Sequence, residues 1–258
     1  SFSAACPTTS RWSKLCSTRA AMGASKKKQK LPILLYIPNL IGYARVALLG
    51  VFYAAALDRP ALALAAYVAS FAGDLFDGYF AKKYDQRSTF GGVLDMVTDR
   101  VATAGLLSFL GILYPRRAGI FTALQTLDIA SHWFHMYSTA SAAGDASKHH
   151  KAADALRRRN VVLRIYYASY PLFAYLCVSA ELTYVALYAI AADICPAPAR
   201  PAVETLYVVA LLPGCVAKQV VNVAQLASAA AELARRDTFG EEDAPSLGAI
   251  DGHAKKPS

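Results

Sequence analysis

GDLFDGYFAKKYDQRSTFGGVLDMVTDR, residues 73–100, sets aspartates at helical spacing inside sequence otherwise apolar enough to cross a membrane. Asp74 and Asp77 are three apart and share one helix face with Ala81, while Gly91, Asp95 and Asp99 repeat at intervals of four. Each Asp held near the centre of a membrane helix costs about 2.5–3.5 kcal/mol. Cations, protein partners or water must offset that cost. A short connection between two antiparallel helices brings the acidic faces together near one end of a bundle. So much like charge needs counter-ions, and an all-oxygen, carboxylate-rich set suits hard ions such as Mg2+ or Mn2+. Two such ions about 3.5–4 Å apart clamp a phosphoryl group during displacement.

Outward from this stretch, the chain of 258 residues is 55% hydrophobic and 17% charged, against about 25% charged in a soluble domain. The excess lies in runs near the 20 residues or so that span a hydrocarbon core. Six spans are expected, at about 39–57, 60–84, 91–114, 118–138, within 162–194, and 202–232. Residues 31–37 read as an interfacial stretch that Pro38 separates from the first span. The run 162–194 contains Pro171 and Glu181 and reads either as one long kinked helix or as a span plus an interfacial segment. The expected architecture is therefore all-α, a polytopic six-transmembrane-helix bundle over residues 34–233. An N-terminal segment, 1–33, with a polybasic stretch precedes it, and a tail, 234–258, follows. Glu241, Glu242 and Asp243 make that tail read as disordered.

The net charge of +9 does not point to nucleic acid, because the cations lie in tails and loops beside apolar spans. One side of the membrane receives Lys26, Lys27, Lys28, Lys30, Lys82, Lys83, Arg87, Lys148, Lys151, Arg157 to Arg159, Arg235 and Arg236. The other receives Arg59, Arg116, Arg117 and Arg200. Positive charge marks the cytosolic side, so the aspartates open to the cytosol. Cys6, Cys16, Cys177, Cys195 and Cys215 show neither metal spacing nor a disulfide framework. Residues 1–21 lack acids and read as a leader translated ahead of Met22, with a transit peptide as the competing reading. Met22-Gly23 is a poor myristoylation start, because Lys27 stands where Ser or Thr is wanted.

Gly73, Gly78, Ala81, Gly91 and Gly92 remove bulk where helices or a ligand approach. Lys82 offers phosphate a point charge. A cation pathway or a buried ion-pair network is the competing reading of the acids. Glycines and a cation interleaved with them fit a phosphate-bearing substrate better.

Written as D-x2-D-G-x2-A-K-x8-G-x3-D-x3-D, the stretch from Asp74 to Asp99 resembles the signature of the CDP-alcohol phosphatidyltransferases at every spacing. Lys82 stands where that family has Arg, which keeps the charge and loses the bidentate fork. YIPNLIGYAR (36–45), LDMVTDR (94–100), LDIASHW (127–133) and VLRIYY (162–167) are similar, in order, to segments of the eukaryotic, phosphatidylinositol-forming branch. The resemblance covers roughly residues 34–233 and implies transfer of a phosphatidyl group from CDP-diacylglycerol to myo-inositol, releasing CMP, with divalent metal. It implies that Asp74, Asp77, Asp95 and Asp99 hold two ions and that Asp99 is the general base toward the inositol hydroxyl. Asn39, Asp74, Gly78, Ala81, Lys82 and Gly91 are expected to line the CDP-diacylglycerol site.

Asp128, His132, Arg164 and Lys218 are the candidates for inositol contact. Pairing of Asp128 and His132 with Arg100 or Arg45, and snorkelling of Arg164 to headgroups, are the competing readings. His149 and His150 read as solvated. Another acceptor (glycerol phosphate, serine or choline) stays open, as does a non-enzymatic cation-binding membrane protein. Homodimers are usual in the family, so a homodimer is a possible assembly. Lys255 and Lys256 resemble a dilysine retrieval signal, which implies the endoplasmic reticulum membrane with the site facing the cytosol.

Overall fold

Prolines and polar caps place the helix starts. The structure, a computed structural model, describes residues 32–141 and 160–243, and every regular element among them is helical. A 3-10 turn at Ile33–Leu35 precedes α1 (Ile37–Ala55), α2 (Pro60–Lys83) and α3 (Thr89–Leu113). A second turn, Pro115–Arg117, leads to α4 (Ala118–Ser141), followed by α5 (Val161–Ala168) and α6 (Tyr170–Ala191). Then α7 (Arg200–Leu206) runs through a π-helical stretch, Tyr207–Leu211, into α8 (Leu212–Asp243). Pro38, Pro60, Pro171 and Pro201 occupy the first two positions of their helices, where the missing N–H has no partner to lose. Ser88 caps α3, its Oγ accepting from Gly91 N at 3.0 Å, and Asn160 caps α5, its Oδ1 accepting from Val162 N at 2.9 Å.

Among the described residues, five helices are long and apolar enough to cross a membrane: α1, α2, α3, α6 and the rod from Arg200 to Thr238. The protein is an integral membrane protein. The expected span at 118–138 is present as the helix α4, yet it falls outside that group. Gln125, Asp128, Ser131, His132, His135 and Ser138 lower its hydropathy.

One open alternative is decided and two expectations need correction. The run 162–194 is a short helix plus a span, because Ser169 is extended (φ −122, ψ 106) between α5 and α6. The tail expected from 234 begins as helix, since α8 continues to Asp243. Glu232 sustains it, pairing with Arg235 at 2.7 Å and Arg236 at 2.9 Å, three and four residues on. Pro38 lies inside α1 rather than ahead of it. Residues 1–31, 142–159 and 244–258, with Met22, Lys26 to Lys30, His149, His150, Lys255 and Lys256, lie outside the described residues.

The core gathers between α1, α2, α3 and α6, where Leu49, Phe52, Ala63, Tyr67, Leu106, Leu107, Leu110 and Tyr188 are buried. Phe52 meets Tyr67, Phe109 and Tyr188 edge-on, with ring centroids 5.0, 5.5 and 6.0 Å away. Tyr188 also donates to the carbonyl of Ala56 at 2.5 Å, tying α6 to the end of α1. Large apolar side chains such as Leu62, Ile112, Val209 and Val220 point outward, as a lipid-facing exterior requires. Polar residues are turned in instead: Asp128, Ser131 and Ser138 of α4 and Lys218, Asn222, Gln225 and Ser228 of α8 are all buried.

Candidate metal and nucleotide site

Asp74 and Asp77 lie near the end of α2, Asp95 and Asp99 near the start of α3, so the turn at 84–88 folds one acidic face onto the other. Asp85 adopts φ 51 in that turn, a left-handed conformation that Asp tolerates better than most residues. Gln86 Oε1 accepts from Ile37 N at 2.9 Å and pins the turn to the start of α1. Oxygens of Asp74, Asp95 and Asp99 come within 4.8 Å of one another. The fourth predicted carboxylate, Asp77, lies deeper, 8% exposed.

A cation reaches all four. Arg45 of α1 places Nη1 3.1 Å from Asp74, 2.7 Å from Asp77 and 2.8 Å from Asp95, and Nη2 2.5 Å from Asp99. A guanidinium among these oxygens demonstrates that they accept positive charge at their common centre. Anionic oxygen donors alone make up the set, which is the chemistry of a hard divalent ion. The residues present fit such an ion.

Beside the carboxylates opens a cavity of about 190 Å³. Of the expected nucleotide residues, Asn39, Gly78, Ala81 and Gly91 line it, together with Asp77, Asp95, Gln86, Arg87 and Ser88. Asn39 is fixed by donation from Nδ2 to the Ile33 carbonyl at 2.5 Å. A Cβ on Gly91 would come within 2.8 Å of Asn39 Oδ1, whereas one on Gly78 would meet nothing within 4 Å. Gly91 thus permits a close helix approach, and Gly78 leaves the cavity open. Lys82 is exposed and does not line the cavity, being the next residue round the helix from Ala81. Arg87, from the turn, is the cation that does.

Arg100 extends the site into the bundle. Its Nη2 is 3.8 Å from Asp99 Oδ2, and its Nη1 donates to both oxygens of Asp128, at 2.6 and 2.8 Å. His132 Nδ1 lies 2.8 Å from the Asp128 carbonyl and 3.5 Å from its carboxylate. The Asp128 pairing with Arg100 is therefore the observed one. Lys218 is buried, with Nζ donating to Asn222 Oδ1 at 2.5 Å and lying 5.8 Å from the Tyr166 ring centre. Arg164 is exposed on α5. Glu181, treated in the sequence only as an interruption, accepts from Tyr67 and from Thr103, whose hydroxyl also reaches the Asp99 carbonyl at 3.1 Å. Arg45, Arg87 and Glu181 were missed as site residues; for Arg45 and Glu181 the available signal was a charge inside an apolar span.

A family model described as CDP-alcohol phosphatidyltransferase matches residues 35–192. The chain is 40% identical over 212 residues to CDP-diacylglycerol–inositol 3-phosphatidyltransferase 1 of Arabidopsis thaliana, covering 79% of this chain and 91% of that protein. It is 38% identical over 216 residues to the CDP-diacylglycerol–inositol 3-phosphatidyltransferase of Candida albicans, covering 83% and 89%. With the Mus musculus protein of that name it shares 37% over 205 residues, covering 80% and 94%. No solved structure matches the chain.

Proposed function

The chain belongs to the CDP-alcohol phosphatidyltransferase family, and from that premise we propose that it makes phosphatidylinositol, transferring the phosphatidyl group of CDP-diacylglycerol to myo-inositol with release of CMP. The observation that carries this reading is the meeting of four carboxylates from α2 and α3 beside a cavity lined by Asn39, Gly78, Ala81 and Gly91. The acceptor follows from relatives that are each named for inositol transfer and covered over about nine-tenths of their length.

Asp74, Asp77, Asp95 and Asp99 would hold Mg2+ or Mn2+, which supply charge neutralisation for a leaving phosphate. Asp99 takes the proton of an inositol hydroxyl. The freed oxygen pair forms the new bond to the β-phosphorus, the phosphoanhydride bond breaks, and its electrons leave with CMP. Arg100, between Asp99 and Asp128, orients the base. Ligand pockets commonly reach about 300–1,000 Å³. A cavity of about 190 Å³ therefore suits the diphosphate end, with the acyl chains left in the bilayer. Arg87 contacts the diphosphate. Arg100, Asp128, His132 and Lys218 offer the donors and acceptors a polyol needs, and exposed Arg164 is suited to lipid phosphates.

We also read α4 as a sixth crossing. Its Asp128, Ser131 and Ser138 are buried, while Ile120, Ile129, Trp133 and Phe134 are exposed. With six crossings the cationic loops share one side, which makes the acidic site cytosolic, in an endoplasmic reticulum membrane on the expectation above. Purified protein should release CMP from CDP-diacylglycerol only when free inositol and Mg2+ or Mn2+ are both present. Release with another acceptor in place of inositol would reassign the substrate.

A further inference from the structure

Arg45 is the charged side chain of α1, 3% exposed, and it carries the only ties between that helix and the acidic faces of α2 and α3 among the described ion pairs. Its Nη1 has two hydrogens and three carboxylates around it. Asp77 and Asp95 take hydrogen bonds at 2.7 and 2.8 Å, and Asp74, at 3.1 Å, is held by charge. The chain makes room for this side chain. A Cβ on Gly73 would lie 2.8 Å from Arg45 Cγ and 3.2 Å from Cδ, so the bare backbone just before Asp74 is the groove through which Arg45 passes. Ser70 Oγ donates to the Arg45 carbonyl at 3.2 Å and fixes the start of that path. Among the described residues the nearest other cation, Arg100, is engaged by both oxygens of Asp128 and approaches Asp99 only to 3.8 Å.

We propose that Arg45 is a built-in counter-cation of the acidic cluster, a positioning residue that holds the four carboxylates together and competes with divalent ions for their oxygens. This rests on the reading of those carboxylates as a divalent-metal site. A guanidinium guided into the cluster by Gly73 stays close to any ion bound there, and like charges a few ångströms apart repel. Arg45 therefore keeps the cluster assembled before metal arrives and weakens metal binding, which leaves the ion exchangeable.

The test is Mn2+ titration of the full-length protein in nanodiscs, read by the resonance of free Mn2+, with thermal unfolding in EDTA and in saturating Mn2+. Arg45→Met is expected to bind Mn2+ about tenfold more tightly, and to lose melting temperature in EDTA but regain it in Mn2+. Arg45→Lys keeps the charge and is expected to stay near the wild-type affinity. Gly73→Ala displaces the intact side chain, is expected to tighten binding in the same direction, and decides the matter if Arg45→Met does not fold. Unchanged or weaker Mn2+ binding in Arg45→Met, or in Gly73→Ala where Arg45→Met does not fold, overturns the inference. So does an equal loss of melting temperature in both buffers, or a Lys variant that behaves like Met. Wild-type protein that binds no Mn2+, or whose binding survives Asp95→Ala undiminished, overturns the metal reading and the inference with it.

Discussion

Asp99 has a cation on each side, Arg45 at 2.5 Å and Arg100 at 3.8 Å, and its own backbone carbonyl accepts from Thr103. It is a carboxylate held in place at the mouth of a polar interior, which is what proton abstraction from a hydroxyl demands. Asp99→Asn keeps the shape and cannot take the proton. It should abolish transfer while leaving CDP-diacylglycerol binding largely intact, as a substrate-binding assay beside a CMP-release assay will report; full retained activity rejects the base assignment. Arg87 and Lys82 make a second contrast. A charge-assisted hydrogen bond is worth about 1.5–3 kcal/mol, so Arg87→Ala should raise KM for CDP-diacylglycerol roughly tenfold or more, and Lys82→Ala much less. Equal effects would return the diphosphate contact to Lys82. The four aspartates and the cavity glycines were legible because a helix converts spacing into a face. Arg45 and Arg87 were not: one depends on how α1 docks, the other on the path of a non-repeating turn.

At the scale of the element, prolines mark starts reliably because the first turn lacks hydrogen-bond partners anyway. That same tolerance hid the break at Ser169, since a proline inside an apolar run is compatible with either a kink or a new helix. A few polar ties join the elements alongside their apolar packing. Tyr188, fully buried, donates to the Ala56 carbonyl beyond the end of α1, and Tyr114 donates to the Leu187 carbonyl at 3.0 Å. Removing the Tyr188 hydroxyl leaves a buried carbonyl unpaired, at a cost of about 1–3 kcal/mol. Tyr188→Phe should lower the melting temperature while the turnover of the folded fraction stays at the wild-type value. A loss of turnover at full stability would mean that this end of the bundle communicates with the site.

For the whole molecule, the open quantity is the number of crossings, and it depends on α4. Hydropathy averages over all faces of a helix, so a span that turns its polar face inward falls below the apolarity of a typical crossing. Here that face includes Asp128, paired with Arg100, and Ser138, whose carbonyl accepts from Arg236 of α8 at 2.8 Å. Ile120, Ile129, Trp133 and Phe134 of the same helix are exposed. If α4 crosses, the loops at Asp58, Arg116 and Asp193 share one side and the turn at Asp85 lies on the other. If it does not, Asp193 changes sides while Asp58 does not. Single cysteines at these four positions, in a background with the native cysteines replaced, separate the cases. In sealed microsomes a membrane-impermeant maleimide should label Asp85→Cys directly. Asp58→Cys, Arg116→Cys and Asp193→Cys should react only after permeabilisation. Direct labelling at Asp193→Cys alone among those three would remove α4 from the membrane, and its buried Asp128 would then need a different source of shelter from water.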